Sequence, residues 1–210
     1  MKITLPSIAI AILSTLSFAY CLNSCPSCGN LPVPYPLSTG PSCGDPDFRL
    51  YCDNKVLELK SAKGRYYKVI SIDPPSYSLV ISPPSISPGS CISSDLTDGG
   101  LQIDDMSPFN ISNRNTVLLF NCSQSLLLSP LNCSYNSVCR KFELAADDGI
   151  SGCQETLCCS FLKDSPSMSR RIRIRVGACT AYTSVVAIDE KAEPGSWKVG
   201  IELQWLPVLA

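Results

Sequence analysis

Thirteen cysteines and no histidine in 210 residues constrain this chain more than any other feature. Zinc sites commonly mix histidine with cysteine, so the set points to disulfides formed in an oxidising compartment. Each bridge typically contributes ~2–4 kcal/mol by restricting the unfolded chain, so a thin apolar core suffices. Residues 1–19, "MKITLPSIAIAILSTLSFA", read as a secretory signal: Lys2 supplies the positive start, Ile8 to Leu16 the apolar run, and Ser17 with Ala19 a small-x-small cleavage site. The run is shorter than the ~20 apolar residues that a membrane span requires. Cleavage after Ala19 leaves all thirteen cysteines. Cleavage after Cys21, which fits the same rule, leaves Cys25, Cys28, Cys43, Cys52, Cys91, Cys122, Cys133, Cys139, Cys153, Cys158, Cys159 and Cys179. These twelve are the expected disulfide cysteines; spacing alone leaves their pairing open.

Three N-x-S sequons, at Asn110, Asn121 and Asn132, agree with a secreted glycoprotein and mark those positions as solvent-facing. No later segment is long and apolar enough for a span, and "LQWLPVLA" is too short for a lipid-anchor tail. The expectation is a soluble product in the extracellular space or cell wall.

The segment "NLPVPYPLSTGPSCGDPDFRLYC", residues 30–52, carries five prolines. Each fixes its own φ and removes an N–H, and each pushes its predecessor towards extended geometry. The segment is therefore stiff, extended and poor at pairing. Beyond it, short alternating runs recur between Pro, Gly, Ser and Asp: "KVLELK", "RYYKVISI", "YSLVIS", "NTVLLFNC", "RIRIRV", "TAYTSVVAI" and "WKVGIELQW". Only "RKFELAADD" and "CQETLCCSFL" suggest helices, both short. The expected class is all-β and disulfide-rich, with two abutting small β subdomains: residues 20–106 and a cysteine-rich module over 107–210.

Histidine is the usual base for activating a Ser or Cys nucleophile, and its absence argues against that chemistry. Asp104–Asp105 and Asp147–Asp148 are conceivable acid–base pairs, although chain neighbours more often solvate a loop. "SDLTDGG" lacks the ligand spacing of a calcium loop and reads as a turn. No metal or cofactor is expected. Net charge is −1, but residues 53–68 concentrate Lys55, Lys60, Lys63, Arg65 and Lys68 against Asp53 and Glu58 on a predicted hairpin. Such a cluster suits a line of carboxylates, or else an edge protected from aggregation. In "RRIRIRV", Arg171, Arg173 and Arg175 would share one strand face at intervals of ~6–7 Å, opposite Ile172, Ile174 and Val176. Tyr35, Tyr51, Tyr66, Trp197 and Trp205 are available to stack on sugar rings or to pack the core.

Cys25-x-x-Cys28-Gly29, then "VPYPLSTGPSCG", "DFRLYC" and the later "GSC" at 89–91 resemble the galacturonan-binding domain of plant wall-associated receptor kinases. "FNISNRNTVLLFNCS", "LCCSF", "GAC" and "GIELQW" are similar to the second extracellular module of that family. The resemblance implies a non-catalytic module that binds pectin, as homogalacturonan or its oligomers, outside the cell. It also implies that relatives continue into a membrane span and a kinase, neither of which follows Trp205 here. A decoy or co-receptor ectodomain that binds other receptor ectodomains is the alternative, and an acid pectin-degrading enzyme a more distant one. The resemblance rests on frame residues, so the basic side chains are proposed contacts on charge alone. It makes the proline-rich segment a cross-linked frame between Cys28 and Cys43 that holds the following hairpin in a fixed pose.

Overall fold

A computed structural model describes residues 24–124, 131–145, 152–153, 156–163, 169–174 and 178–207. The leader, Cys21, Arg175 and the Asp147–Asp148 pair lie outside the described residues. The fold is all-β and disulfide-rich, and it divides into two compact units, one holding the described residues up to Leu57 and the other Glu58–Pro207.

In the first unit, β1 (Cys25–Cys28) and β2 (Leu31–Val33) form an antiparallel hairpin. Gly29 makes its turn at φ +59°, where an added Cβ would lie 2.4 Å from the Lys55 carbonyl oxygen. The proline-rich segment, expected to be extended and poor at pairing, instead pairs at its start through β2 and then folds back on itself over residues 34–50. Leu37 N–H donates to the Pro34 carbonyl at 2.9 Å, and Ser38 exchanges backbone bonds with Phe48 and Leu50 at 3.0 and 2.7 Å. Leu37, Phe48 and Leu50 are buried as a small core. Cys25–Cys43 and Cys28–Cys52 staple the ends of this segment to the first hairpin. Its stiffness thus comes from prolines inside and disulfides at its borders. Strand β3 (Tyr51–Asp53) follows, and a two-residue turn with Asn54 and Lys55 both at positive φ leads to β4 (Val56–Lys60).

The second unit contains two antiparallel sheets. One runs β4, β5 (Tyr66–Asp73), β6 (Ser78–Ile81), β12 (Ile201–Gln204) and β7 (Asn110–Ile111) in spatial order. The other runs β11 (Lys198–Val199), β10 (Ala181–Val186), β8 (Asn115–Phe120) and β9 (Cys159–Leu162). All six residues of β8 and of β10 are buried, which explains the near-continuous apolar run "VLLF" where alternation would mark a half-exposed strand. The core gathers Leu118, Phe120, Ala181 and Val185 with the buried cysteines and Trp197, which stacks on Phe142 of helix α1 (Val138–Ala145). Cys91–Cys153, Cys122–Cys179, Cys133–Cys159 and Cys139–Cys158 cross-link this unit.

Two local expectations differ from the structure. "RKFELAADD" does contribute to α1, but the end of "CQETLCCSFL" is strand β9, with Leu119 opposite Cys159 and Thr116 opposite Leu162. Adjacent cysteines bonded in different directions, to Cys133 and Cys139, favour an extended backbone there over a helix. The described part of "RIRIRV", residues 171–174, forms no regular strand either. Residues 170–174 follow residues 99–103 through three backbone bonds and a single bridge, Gln102 with Arg171. Ile172 and Ile174 are nonetheless buried and Arg171 and Arg173 exposed, as the alternation predicts.

Candidate functional site

The site grows from the stretch that reads as a simple turn, "SDLTDGG". Residues Leu96–Asp98 make a 3-10 turn closed by Asp98 N–H on the Asp95 carbonyl at 3.0 Å and Gly99 N–H on the Leu96 carbonyl at 2.9 Å. Gly99 and Gly100 follow at φ +75° and +93°. An added Cβ at Gly100 would lie 2.2 Å from the Ile172 carbonyl oxygen, so only glycine lets the arginine segment approach this closely. Ile172 N–H then donates to the Leu101 carbonyl at 2.9 Å and Ile174 N–H to the Gly99 carbonyl at 3.0 Å. With both isoleucines turned into the core, Arg171 and Arg173 face solvent beside the turn.

The tip of the β4–β5 hairpin reaches the same place. Gly64 at φ +81° and two backbone bonds between Ser61 and residues 64–65 close the tip, and Ala62 N–H donates to the Gln102 carbonyl at 2.9 Å. Lys63 is thereby placed with Arg171 and Arg173 around one pocket of about 270 Å3, floored by Gly99 to Gln102. Among the described residues the only carboxylate lining it belongs to Asp98, which is ion-paired with Arg65. Three described cations thus surround a pocket beside a carboxylate that already has a partner. Arg65 also donates to Thr97 Oγ1 at 3.2 Å, and the Asp98 carboxylate raises its pKa further. It secures the turn and is not a free cation.

The other basic residues are distributed differently. Strand register puts Lys68 opposite Glu58, and the Lys60 ammonium sits over the Tyr66 ring at 5.8 Å on the outer face of the hairpin. Lys55 occupies the left-handed turn of the first unit. Arg175 lies outside the described residues. Arg170, which charge patterning does not distinguish from its neighbours, is structural: its guanidinium donates to the carbonyls of Asp104, Ser107 and Phe109 at 2.6–3.0 Å.

Asp104 of the conceivable acid–base pair accepts the Met106 N–H at 2.9 Å and so shapes a local turn. Among the aromatics, Trp197 and Trp205 are buried, whereas Tyr35 and Tyr66 remain 43% and 48% exposed. Among the described residues no group of His, Cys, Asp and Glu side chains is arranged to hold a metal ion, and no helix is long and apolar enough to cross a membrane.

Beneath the pocket lies a buried group that sequence reasoning missed. The Tyr67 and Tyr182 hydroxyls both donate to Asp95 Oδ2 at 2.8 Å. Burial raises the pKa of Asp95, opposed by those two hydrogen bonds, and it also raises those of both tyrosines. The signal lay in the strand periodicity, which turns Tyr67 inward between exposed Tyr66 and Lys68.

Residues 21–83 match the family described as wall-associated receptor kinase galacturonan-binding. The chain is 40% identical over 188 residues to wall-associated receptor kinase-like 20 of Arabidopsis thaliana, covering 86% of this chain and 28% of that protein. It is 35% identical over 189 residues to wall-associated receptor kinase-like 15 of the same plant, covering 86% of this chain and 30% of that protein. The chain thus spans less than a third of the length of these relatives. No solved structure matches it. Residues 21–83 are thus similar to the galacturonan-binding family of wall-associated receptor kinases, and most of the chain is similar to two wall-associated receptor kinase-like proteins.

Proposed function

We propose that this protein is a non-catalytic extracellular module that binds acidic pectic polysaccharide, with Lys63, Arg171 and Arg173 as its main contacts. The observation that carries this reading is the convergence of two basic patches, distant in sequence, on one pocket beside a glycine turn. Guanidinium groups match carboxylates bidentately, and Lys63 adds a point charge. Arg65 holds the turn through Asp98, while Lys60 and Lys68 lie along the hairpin outside the pocket lining. Exposed ion pairs contribute only ~0.2–1 kcal/mol each, so retention depends on repeated occupancy along a polymer.

The test is binding of the oxidised, secreted protein to immobilised polygalacturonate, fully methyl-esterified pectin and a neutral glucan, at low and moderate salt. The expected result is capture by the polyacid alone, fading with salt as screening shortens to ~8 Å near physiological ionic strength. The triple variant Lys63→Gln, Arg171→Gln, Arg173→Gln should bind at least about tenfold more weakly with its circular dichroism unchanged. Undiminished affinity of that variant would retire the site. Equal binding to all three polymers, or to none, would favour a protein partner.

A further inference from the structure

On the other side of the Arg65–Asp98 pair lies a second, larger depression of about 630 Å3. Arg65 lines this groove while its partner Asp98 lines the basic pocket, so the ion pair forms a rim common to both. The groove is chemically unlike the pocket. Its cations are Arg65, held by Asp98, and Lys68, which the strand register sets opposite Glu58. Glu58 itself lines the groove and opposes a second carboxylate there. The walls are Tyr66, Pro83 and Pro84, with the hydroxyls of Ser85 and Ser94 alongside. These two serine-bearing segments are tied together by Ser94 N–H on the Ser85 carbonyl at 2.9 Å. Charge-balanced, part aromatic and part hydroxylated, such a surface suits an uncharged pyranose: its C–H face covers ring and proline carbons while its hydroxyls meet the serines.

We propose that this groove takes a methyl-esterified, hence uncharged, galacturonosyl unit of the same polysaccharide whose free carboxylate occupies the Lys63–Arg171–Arg173 pocket. The inference rests on the acid-binding reading above and makes it more specific: the protein reads a mixed pattern of free and esterified units. Esterification removes a charge that Glu58 opposes and adds an apolar methyl group that the prolines can cover.

The experiment measures affinity of the whole protein for galacturonan oligomers of one length that are fully acidic, about half methyl-esterified, or fully esterified. The half-esterified oligomer should bind roughly tenfold more tightly than the fully acidic one, and the fully esterified one hardly at all. Tyr66→Ala should erase the preference for the half-esterified oligomer and leave affinity for the acidic one unchanged, whereas Tyr66→Phe should retain the preference. A wild type that binds the fully acidic oligomer as tightly as the half-esterified one would overturn the inference and leave the acid-binding reading intact. So would persistence of the preference in Tyr66→Ala. Failure to bind either acid-containing oligomer would overturn both.

Discussion

The hydroxyl of Tyr182 donates to Asp95 Oδ2 at 2.8 Å and accepts the Leu101 N–H at 3.2 Å, so one side chain of β10 holds both ends of the turn that floors the basic pocket. Tyr67, on β5 of the other sheet, makes the same 2.8 Å bond to the same oxygen. The turn is therefore fastened to both sheets of the second unit through a carboxyl group that is 1% exposed. Geometry at Lys63, Arg171 and Arg173 depends on this buried group, which touches no solvent.

Asp95 should make stability depend on pH. Burial raises its folded pKa above the unfolded value, so its contribution is full below the unfolded pKa and is lost as pH rises through the folded one. Oδ1 has no hydrogen-bond partner among the described residues, which leaves the ionised form incompletely compensated. Asp95→Asn should flatten this part of the profile and gain on the wild type as pH rises. Urea unfolding midpoints between about pH 4 and 8 would show it; parallel profiles for the two proteins would refute the assignment.

Lys163 acts in the opposite sense. Its ammonium is buried without a hydrogen-bond partner among the described residues, and burial pushes its pKa down to about 8. The unfolded chain binds the extra proton between about pH 8 and its ordinary value of 10.5, so stability rises with pH across that window. Lys163→Met should raise stability at pH 7 by up to about 3 kcal/mol, with the gain shrinking as pH rises towards 10.5. A destabilised methionine variant at neutral pH would mean that the ammonium has a stabilising partner.

Two glycines at positive φ separate backbone strain from close approach. Gly64 at the hairpin tip has open space around an added Cβ, so Gly64→Ala should cost only ~1–2 kcal/mol and preserve polygalacturonate binding. Gly100→Ala meets the Ile172 carbonyl and must push the arginine segment away. It should be destabilised by more, roughly 3 kcal/mol or above, and lose binding beyond what its stability explains. Thermal unfolding and binding measured at a temperature where both variants are folded would decide; equal losses would count against the pocket.

The three sequons should be unequally used. Asn132 is exposed, with its Oδ1 accepting the Ser134 N–H at 3.1 Å. Asn121 is exposed but its Nδ2 donates to Thr180 Oγ1 at 2.9 Å, a bond that a glycan would have to replace. Asn110 is half-buried in β7, opposite Gln204. Occupancy is expected to fall in the order Asn132, Asn121, Asn110 in protein secreted from eukaryotic cells, as read by glycopeptide mass spectrometry. Heavy occupancy at Asn110 would contradict this strand placement.

Much of the fold was legible because it is local. Period-two alternation identified β4, β5 and the inward-facing Ile172 and Ile174, since side-chain direction in an extended chain depends only on immediate neighbours. The missed strand β9 lies where the sequence favours a helix and long-range disulfides favour extension; tertiary constraint won.

From the amino-acid order alone follow the all-β class, the stiff proline-rich frame, the two basic patches and the resemblance to galacturonan-binding domains, all carried by short-range pattern and by residue types at fixed spacing. Tertiary structure decided which cysteines pair, that Asp98 engages Arg65, that Asp95 is buried under two tyrosines, and that Lys63 meets Arg171 and Arg173. Those relationships join residues distant along the chain. They arise only when packing of the two sheets offsets the entropy of closing the loops between them, a balance that no local stretch of sequence contains.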